Sequence, residues 1–311
     1  MAQFAVANDR RPCSKPLQLE KNLMKIVKIK SGLGNQMFQY AFAKACQKRS
    51  GETVLLDLSN YKTEHLHNGY ELNRLFNIDL PVASRSECDK IATIPDNFLR
   101  RIRRKFFTKK THLIENENIF DERFFDCDGN FYFEGYWQNE DYFSPLLIEE
   151  IRSIFAFKPQ LDEKNIQLMQ KLDANSASIH VRRGDYLLKE NQNLNLCTIE
   201  YYKKALKSLF EQKNISNLLF FSDDIAWCKE NFTSLPVPVT FVDWNTGENS
   251  WQDMALMSKC GSNIIANSSF SWWGAYLNPN PEKIVIAPAF WNSKNIQTEK
   301  KLPENWQALK I

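Results

Sequence analysis

The chain of 311 residues predicts an α/β fold built from two Rossmann-like halves. Strand-like and helix-like patterns alternate along most of its length, which is typical of parallel sheets. The length itself suggests two domains, each able to bury a core. The composition, with 43% hydrophobic and 25% charged residues, is ordinary for a globular protein.

Residues 1–23 are expected to be a disordered N-terminal extension, because they contain Arg10-Arg11 but no apolar segment of the kind that a signal peptide needs. No run of eighteen apolar residues occurs, so no transmembrane helix is expected. The seven cysteines show no Cys-x-x-Cys spacing, which favours neither a zinc site nor a disulfide framework. These features predict a cytoplasmic protein.

The predicted N-terminal domain, residues 24–160, begins with a βαβ unit. Residues 25–30 alternate like a strand, residues 37–49 have helical spacing with a stop at Gly51, and residues 53–56 form the next strand. The turn over 31–36 has two glycines but matches neither the dinucleotide fingerprint nor the Walker A loop. Two glycines let a backbone approach another group closely, although a tight structural turn is the default interpretation.

A basic amphipathic helix is predicted over residues 98–110, which carry seven basic residues and no acidic one. Leu99, Ile102 and Phe106 fall on one helical face. The helix is either a solvated face packed on its domain or a peripheral contact with the anionic inner face of a membrane. No recognised motif supports binding to nucleic acid.

The predicted C-terminal domain, residues 161–311, begins with a polar helical stretch over 161–175. Its strands are expected before Arg182, over 217–221, over 237–242, before Asn267, and over 283–287 as the last strand. Its helices are expected over 199–212, over 251–260, and from Phe270 onwards.

Two adjacent arginines follow the predicted buried strand that ends at Val181. In an open α/β sheet, ligands bind outside the carboxyl ends of the strands. Arginine suits phosphate there, because its planar fork donates two charge-assisted hydrogen bonds. Arg182 and Arg183 are therefore candidates for a phosphate grip. The alternative is a surface ion pair between Arg183 and Asp185.

A turn rich in serine and asparagine, residues 267–269, joins a predicted strand to the helix that starts at Phe270. The first N–H groups of such a helix are unpaired, and together with the helix dipole they form an anion site. Serine is also an ordinary N-cap residue, and the two interpretations are compatible. The arginine pair and this helix start would together hold a diphosphate without a metal.

Three aspartates allow two interpretations each. Asp223 follows a predicted strand, where it either bonds a ribose or base or caps the helix that carries Trp227. Asp126 and Asp128 mimic an Asp-x-Asp metal motif. Because glycine and asparagine follow directly, a β-turn is the preferred interpretation and no metal is expected.

The three polar segments, in this order and spacing, resemble the bacterial α-1,2-fucosyltransferases of glycosyltransferase family 11 over roughly residues 24–311. The resemblance lies in Gly32-Leu33-Gly34-Asn35-Gln36-Met37-Phe38-Gln39-Tyr40, in His180-Val181-Arg182-Arg183-Gly184-Asp185-Tyr186, and in Asp253-Met254-Ala255-Leu256-Met257 together with Asn267-Ser268-Ser269-Phe270-Ser271-Trp272-Trp273. The second segment is similar to the His-x-Arg-Arg-x-Asp motif shared with α-1,6- and protein O-fucosyltransferases. Ser31 stands where a glycine is expected in close relatives.

The resemblance implies a GT-B-like architecture and an inverting transfer of L-fucose from GDP-β-L-fucose. The implied acceptor is the 2-hydroxyl of a terminal β-galactose on an oligosaccharide or lipid-linked glycan. It also implies that GDP-fucose is a substrate and that neither a metal nor another cofactor is needed. A sister transferase with another GDP-sugar or acceptor, and a non-catalytic nucleotide-sugar or glycan-binding module, are the alternatives.

The resemblance also implies roles for single residues. Arg182 would stabilise the leaving diphosphate, with Arg183 as a second candidate, and His180 and Asp253 would contact guanine or ribose. The general base is Asp185 or Glu190, unless Asp185 orients an arginine instead. The complete set expected to bind the donor is Gly34, Asn35, Gln36, His180, Arg182, Arg183, Asp253, Asn267, Ser268, Ser269 and Phe270.

Overall fold

The computed structural model describes residues 23–62, 67–93, 108–115, 120–293 and 302–310. The predicted extension over 1–23 lies outside these ranges except for its last residue, and the predicted basic helix over 98–110 lies outside them except for its last three. In the described ranges, no helix is both long enough and apolar enough to cross a membrane.

The N-terminal half contains a parallel sheet of four strands. Its strands are β1 (Met24–Lys28), β2 (Thr53–Asp57), β3 (His112–Ile114) and β4 (Phe131–Glu134). They lie in the order β2-β1-β4-β3, and every pair is parallel. The middle of β1 is buried, as expected for a parallel strand covered on both faces.

The C-terminal half contains a parallel sheet of six strands. Its strands are β5 (Ser176–Val181), β6 (Asn217–Ser222), β7 (Val239–Val242), β8 (Ser262–Ile264), β9 (Val285–Pro288) and β10 (Gln307–Leu309). They lie in the order β10-β9-β8-β5-β6-β7. The chain proceeds from β5 towards β7 on one side and from β8 towards β10 on the other. The boundary between β5 and β8 is therefore a topological switch point, where ligands bind in open α/β sheets.

Helices connect the strands of both sheets. In the described residues these are α1 (Leu33–Ser50), α2 (Leu72–Leu75), α3 (Arg85–Ile91), α4 (Ile148–Ile154), α5 (Glu163–Met169), α6 (Ile199–Gln212), α7 (Ile225–Asn231), α8 (Trp251–Met257) and α9 (Ser269–Leu277). Gly51 ends α1 in the left-handed conformation with φ of 67°, so the predicted stop is confirmed.

An aromatic seam joins the two halves. The ring of Phe38 in α1 lies 4.6 Å from that of Trp272 and 5.0 Å from that of Trp273, both in α9. Phe143 stacks on Trp273 at 5.7 Å. All four side chains belong to one buried cluster that draws on both sheets. The two halves are therefore held in one arrangement by shared packing as well as by the chain that connects them.

The predicted alternation of strands and helices is confirmed, although the bounds of several elements differ. The first helix begins at Leu33 and not at Met37, because Gly32 accepts hydrogen bonds from the N–H groups of Asn35 and Gln36 and so brings the turn into the helix. The strand β10 follows 283–287, which the sequence predicts to be the last strand, so the sequence does not predict β10. β10 has three residues and largely exposed side chains, so it carries no hydrophobic pattern.

Candidate functional site

A cleft of about 1080 Å³ lies between the two halves. One wall is built from the β1–α1 turn and from the segments around residues 67–71 and 136–142 of the N-terminal half. The other wall is built from the carboxyl ends of β5 and β6 and from the start of α9. The cleft thus lies at the switch point that the sheet order indicates.

Arg182 follows β5 directly and points into the cleft between two carboxylates. Its Nη2 lies 2.8 Å from Asp185 Oδ1, and its Nη1 lies 3.1 Å from Asp223 Oδ2. The other oxygen of Asp223 accepts a hydrogen bond of 2.9 Å from the backbone N–H of Arg183. The guanidinium is therefore braced before any ligand arrives, which reduces the entropy lost when it binds an anion.

Arg183 turns away from the cleft. Its Nε donates to Asp224 Oδ2 at 3.1 Å, and its guanidinium lies 4.2 Å from the ring centroid of Trp227. The surface pair with Asp185 is not formed, because Asp185 pairs with Arg182. The structure therefore brings one arginine of the predicted pair, Arg182, into the cleft lining that the described residues form.

Two helix N-termini meet at the cleft. The N-caps are Gly32 for α1 and Ser268 for α9, and neither helix has a side-chain cap hydrogen bond or an acidic residue in its first turn. A Cβ on Gly34 would lie 2.5 Å from the backbone carbon of Ser269. Trp273 Nε1 donates to the Gly34 carbonyl at 2.9 Å. The absence of a side chain at Gly34 thus lets α1 approach α9 closely. The N-termini of both helices, each with a positive dipole end, therefore contribute to one anion site.

Asn35 and Gln36 have different roles. Asn35 lines the cleft, where its Oδ1 accepts a hydrogen bond of 2.7 Å from Gln138 Nε2. Gln36 is fully buried, and its Nε2 donates to the carbonyls of Ser31 at 2.9 Å and Gly69 at 2.8 Å. With all its hydrogen-bonding groups engaged by the protein, Gln36 joins two loops behind the wall, and the structure does not bring it to the cleft.

His180 lies on β5, on the same strand face as Arg182. Its Nδ1 is buried and has no hydrogen-bond partner among the described residues. Burial and the neighbouring Arg182 charge lower the pKa of His180 to about 4. The imidazole is therefore neutral near pH 7, and its Nδ1 is a buried polar atom without a hydrogen-bond partner in the part of the protein that the structure describes.

Asp253 lines the cleft at the end of a chain of buried amides. Asn245 Nδ2 donates to Asp253 Oδ1 at 2.7 Å, and Asn165 Nδ2 donates to Asn245 Oδ1 at 2.7 Å. Asn165 Nδ2 also donates to Gln252 Oε1, whose own Nε2 donates to Asp162 Oδ2 at 2.8 Å. Burial raises the pKa of Asp253 to about 7, while the Asn245 hydrogen bond opposes that rise. Sequence spacing did not reveal these partners.

Asn267 lines the cleft, but its side-chain amide is used within the protein. Its Nδ2 donates to the carbonyls of Leu194 at 2.9 Å and Trp291 at 3.0 Å. It therefore fixes two neighbouring loops at the start of α9. The next three predicted residues, Ser268, Ser269 and Phe270, also line the cleft.

The two predicted bases are placed differently. Asp185 lines the cleft and pairs with Arg182, whereas Glu190 is exposed and outside the cleft lining that the described residues form. On the opposite wall the structure adds Glu115, whose Oε2 accepts hydrogen bonds from the backbone N–H groups of Tyr136 at 2.6 Å and Trp137 at 2.8 Å. No sequence pattern marks Glu115.

The remaining aspartates are also placed. The cap of α7 is Asp224, whose side chain accepts from the Trp227 N–H, so the interpretation of Asp223 as that cap is wrong. Asp126 pairs with Arg49 at 3.0 Å. Across the described part of the chain, no three side chains of His, Cys, Asp or Glu come together as a metal site.

Comparisons with known proteins agree on one family. The sequence matches the model of Glycosyl transferase family 11 over residues 2–310. It is 38% identical over 293 residues to Alpha-1,2-colitosyltransferase of Escherichia coli, covering 90% of this chain and 97% of that protein. It is 24% identical over 274 residues to Galactoside 2-alpha-L-fucosyltransferase Sec1 of Mus musculus, covering 84% and 66%.

One solved structure gives a comparison of folds. The crystal structure of NodZ alpha-1,6-fucosyltransferase soaked with GDP-fucose superimposes with a TM-score of 0.50 at 15% identity, covering 91% of this chain and 98% of that one. The GT-B-like fold class expected from the sequence is confirmed by this likeness and by the two parallel sheets.

Proposed function

The chain belongs to glycosyl transferase family 11, and on that premise we propose that it transfers L-fucose from GDP-β-L-fucose to the 2-hydroxyl of a terminal β-galactose. The β-linked donor and the α-linked product make the reaction inverting. The acceptor class is a galactose-terminated oligosaccharide or lipid-linked glycan. The mouse relative named as a galactoside 2-alpha-L-fucosyltransferase supports this choice.

The observation that carries the proposal is the braced guanidinium of Arg182 beside two helix N-termini. Cleavage of the donor's glycosidic bond leaves positive charge on the sugar and negative charge on the departing GDP. Preorganised donors that face the developing negative charge lower the barrier, because they need no reorganisation during the reaction. Arg182 and the first N–H groups of α9 supply such donors in one place.

The nucleotide end of the donor fits the buried groups deeper in the C-terminal half. A purine such as guanine offers ring N–H and amino donors, which an ionised Asp253 accepts. The unpartnered Nδ1 of neutral His180 is a complementary site for the ribose or base. Contacts of the nucleotide with Asp253 and His180 would orient the GDP-sugar so that its diphosphate reaches Arg182.

The proposed reaction needs no divalent metal, since Arg182 and the helix N-termini neutralise the leaving group. Transfer should therefore survive excess EDTA. A collapse of activity in EDTA that Mg²⁺ or Mn²⁺ reverses would contradict this part of the proposal.

Colitosyl transfer is the second candidate, favoured by the 38% identity to Alpha-1,2-colitosyltransferase. Colitose is L-fucose without its 3-hydroxyl. A site that hydrogen-bonds this hydroxyl would reject the deoxy sugar strongly, whereas a site that merely leaves room for it would discriminate weakly.

The test measures GDP release from GDP-fucose and from GDP-colitose, each with a panel of β-galactosides and without acceptor. We expect acceptor-dependent release that is faster with GDP-fucose, and a product whose NMR spectrum shows an α-1,2 link. Faster release from GDP-colitose would select the second candidate. Tight GDP-sugar binding without release or transfer would indicate a binding module instead.

A further inference from the structure

The side chain of Gln138 contacts Asn35 across the N-terminal wall of the cleft. Gln138 Nε2 donates to Asn35 Oδ1 at 2.7 Å, and both residues line the cleft. A carboxamide has an acceptor oxygen at one end and two N–H donors at the other. Because Gln138 occupies the oxygen of Asn35, the amide of Asn35 is left with its N–H groups as the end available to a ligand.

Asn35 lies close to the proposed place of the diphosphate and sugar. Asn35 lies in the first turn of α1, next to Gly34, whose missing side chain allows the backbone of Ser269 to come close. The anion site at the start of α9 is thus immediately beside Asn35. An N–H donor is complementary to the oxygens of a phosphate or a sugar hydroxyl there, whereas a carbonyl oxygen would repel a phosphate.

The segment that carries Gln138 is held firmly. Trp137 has a φ of 57°, a left-handed conformation that a bulky residue rarely adopts. Its fully buried ring stacks on Phe42 with centroids 3.8 Å apart, and its backbone N–H donates to Glu115 Oε2 at 2.8 Å. Such a conformation persists where the surroundings determine it strongly. Gln138 therefore extends from a fixed point and can hold another side chain in one orientation.

We propose that Gln138 is a positioning residue, which fixes the Asn35 amide with its N–H groups facing an oxygen of the GDP-sugar. The inference rests on the proposed function, since it takes a GDP-sugar as the ligand. It adds a residue from the N-terminal half that acts on the donor through Asn35.

The test is a double-mutant cycle of Gln138→Glu with Asn35→Ala, measured as kcat/KM for the donor. The introduced carboxylate has no N–H group to donate to Asn35 Oδ1. The Asn35 amide should therefore turn and present its oxygen to the GDP-sugar. A lost hydrogen bond to a charged group corresponds to roughly a ten- to hundredfold loss. We expect a loss of that size for Gln138→Glu in the wild-type background and little further loss in the Asn35→Ala background.

Asn139→Asp is the matched control, because it adds the same charge one residue along the same wall. Asn139 caps a short helical turn through its Oδ1, a role that aspartate performs equally well. The Asn139→Asp variant should therefore keep the wild-type fold. Thermal melts of all variants show whether they are folded. Gln138→Ala provides a second variant that removes the hydrogen bond without adding charge, and it should lose activity moderately.

Isothermal titration with GDP, GDP-fucose and GDP-colitose identifies the oxygen that Asn35 contacts. Weaker binding of all three by Gln138→Glu would indicate a phosphate oxygen, and weaker binding of the sugar nucleotides alone would indicate a sugar oxygen. Equal losses for Gln138→Glu in both backgrounds, or an equal loss for Asn139→Asp, would overturn the proposal. If the wild type neither binds nor turns over a GDP-sugar, the proposed function itself is wrong. That result differs from a failure of the Gln138 proposal, in which the wild type remains active.

Discussion

Gly34→Ala tests whether the two helix N-termini are held together at the cleft. The added Cβ would lie 2.5 Å from the carbon and 2.7 Å from the oxygen of the Ser269 carbonyl, and 2.6 Å from the nitrogen of Phe270. Ordinary contacts between such atoms are about 3.5–4.0 Å, so the two backbones must separate by roughly 1 Å. Because all three atoms are backbone, no flexible side chain can make room.

Overpacking of this kind typically costs about 1–3 kcal/mol, which should lower the thermal midpoint by several degrees. The same displacement widens the anion site, and misplacement by roughly 1 Å can reduce activity about a hundredfold. Gly32→Ala is the matched control. Its Cβ would meet the imidazole of His67 at 3.3 Å, a side chain that can adjust, so we expect a smaller effect.

Differential scanning calorimetry and kcat/KM for the donor, measured on both variants, decide the question. The reasoning is wrong if Gly34→Ala melts and turns over like the wild type. It is also wrong if Gly32→Ala is equally impaired, since the contact with α9 would then not be the cause.

Two further predictions concern stability and pH. Ser31 has a φ of 67°, a left-handed conformation that strains a residue with a side chain. Ser31→Gly should therefore raise the free energy of unfolding, measured by urea titration, by a few tenths to about 1 kcal/mol. A lower free energy of unfolding would show that Ser31 is not strained. The pKa of Asp253 rises from 3.8 to about 7, so the folded protein holds its proton over that interval. The stability from Asp253 should therefore be lost as the pH rises from 3.8 to about 7, while GDP affinity should increase around pH 7, where the carboxylate of the folded protein ionises. Asp253→Asn should flatten both profiles, and unchanged profiles would refute the assignment.

Elements with a strong local pattern were predicted well. The helix Ile199–Gln212 agrees with its prediction at both ends, because its apolar residues repeat at helical spacing over fourteen residues. The start of α1 was predicted four positions late. Its first turn contains Gly34 and Asn35, which are poor helix formers, and tertiary contacts with α9 override that local preference.

The site was predictable where its residues are close together in the sequence and lie on one face of a single strand. His180 and Arg182 are two positions apart at the end of one strand, so they share a face and both reach the cleft. Arg183 is one position from Arg182, so its side chain falls on the opposite face and turns away from the cleft. The pairing of Arg182 with Asp223 and the contact of Asn165 with Asn245 behind Asp253 were not predictable, because Asp223 and Asn165 come from segments distant in sequence that only the fold brings to these places.

The most direct test compares Arg182→Lys with Arg183→Lys in the transfer of sugar from GDP-fucose. Lysine keeps the charge but loses the planar fork that two carboxylates brace in Arg182. Loss of one preorganised donor typically costs roughly a hundred- to a thousandfold in kcat. We expect a loss of that order for Arg182→Lys and a change of a few fold for Arg183→Lys, both with wild-type melting. Wild-type turnover by Arg182→Lys, or equal losses in the two variants, would contradict the assignment of Arg182 to the diphosphate.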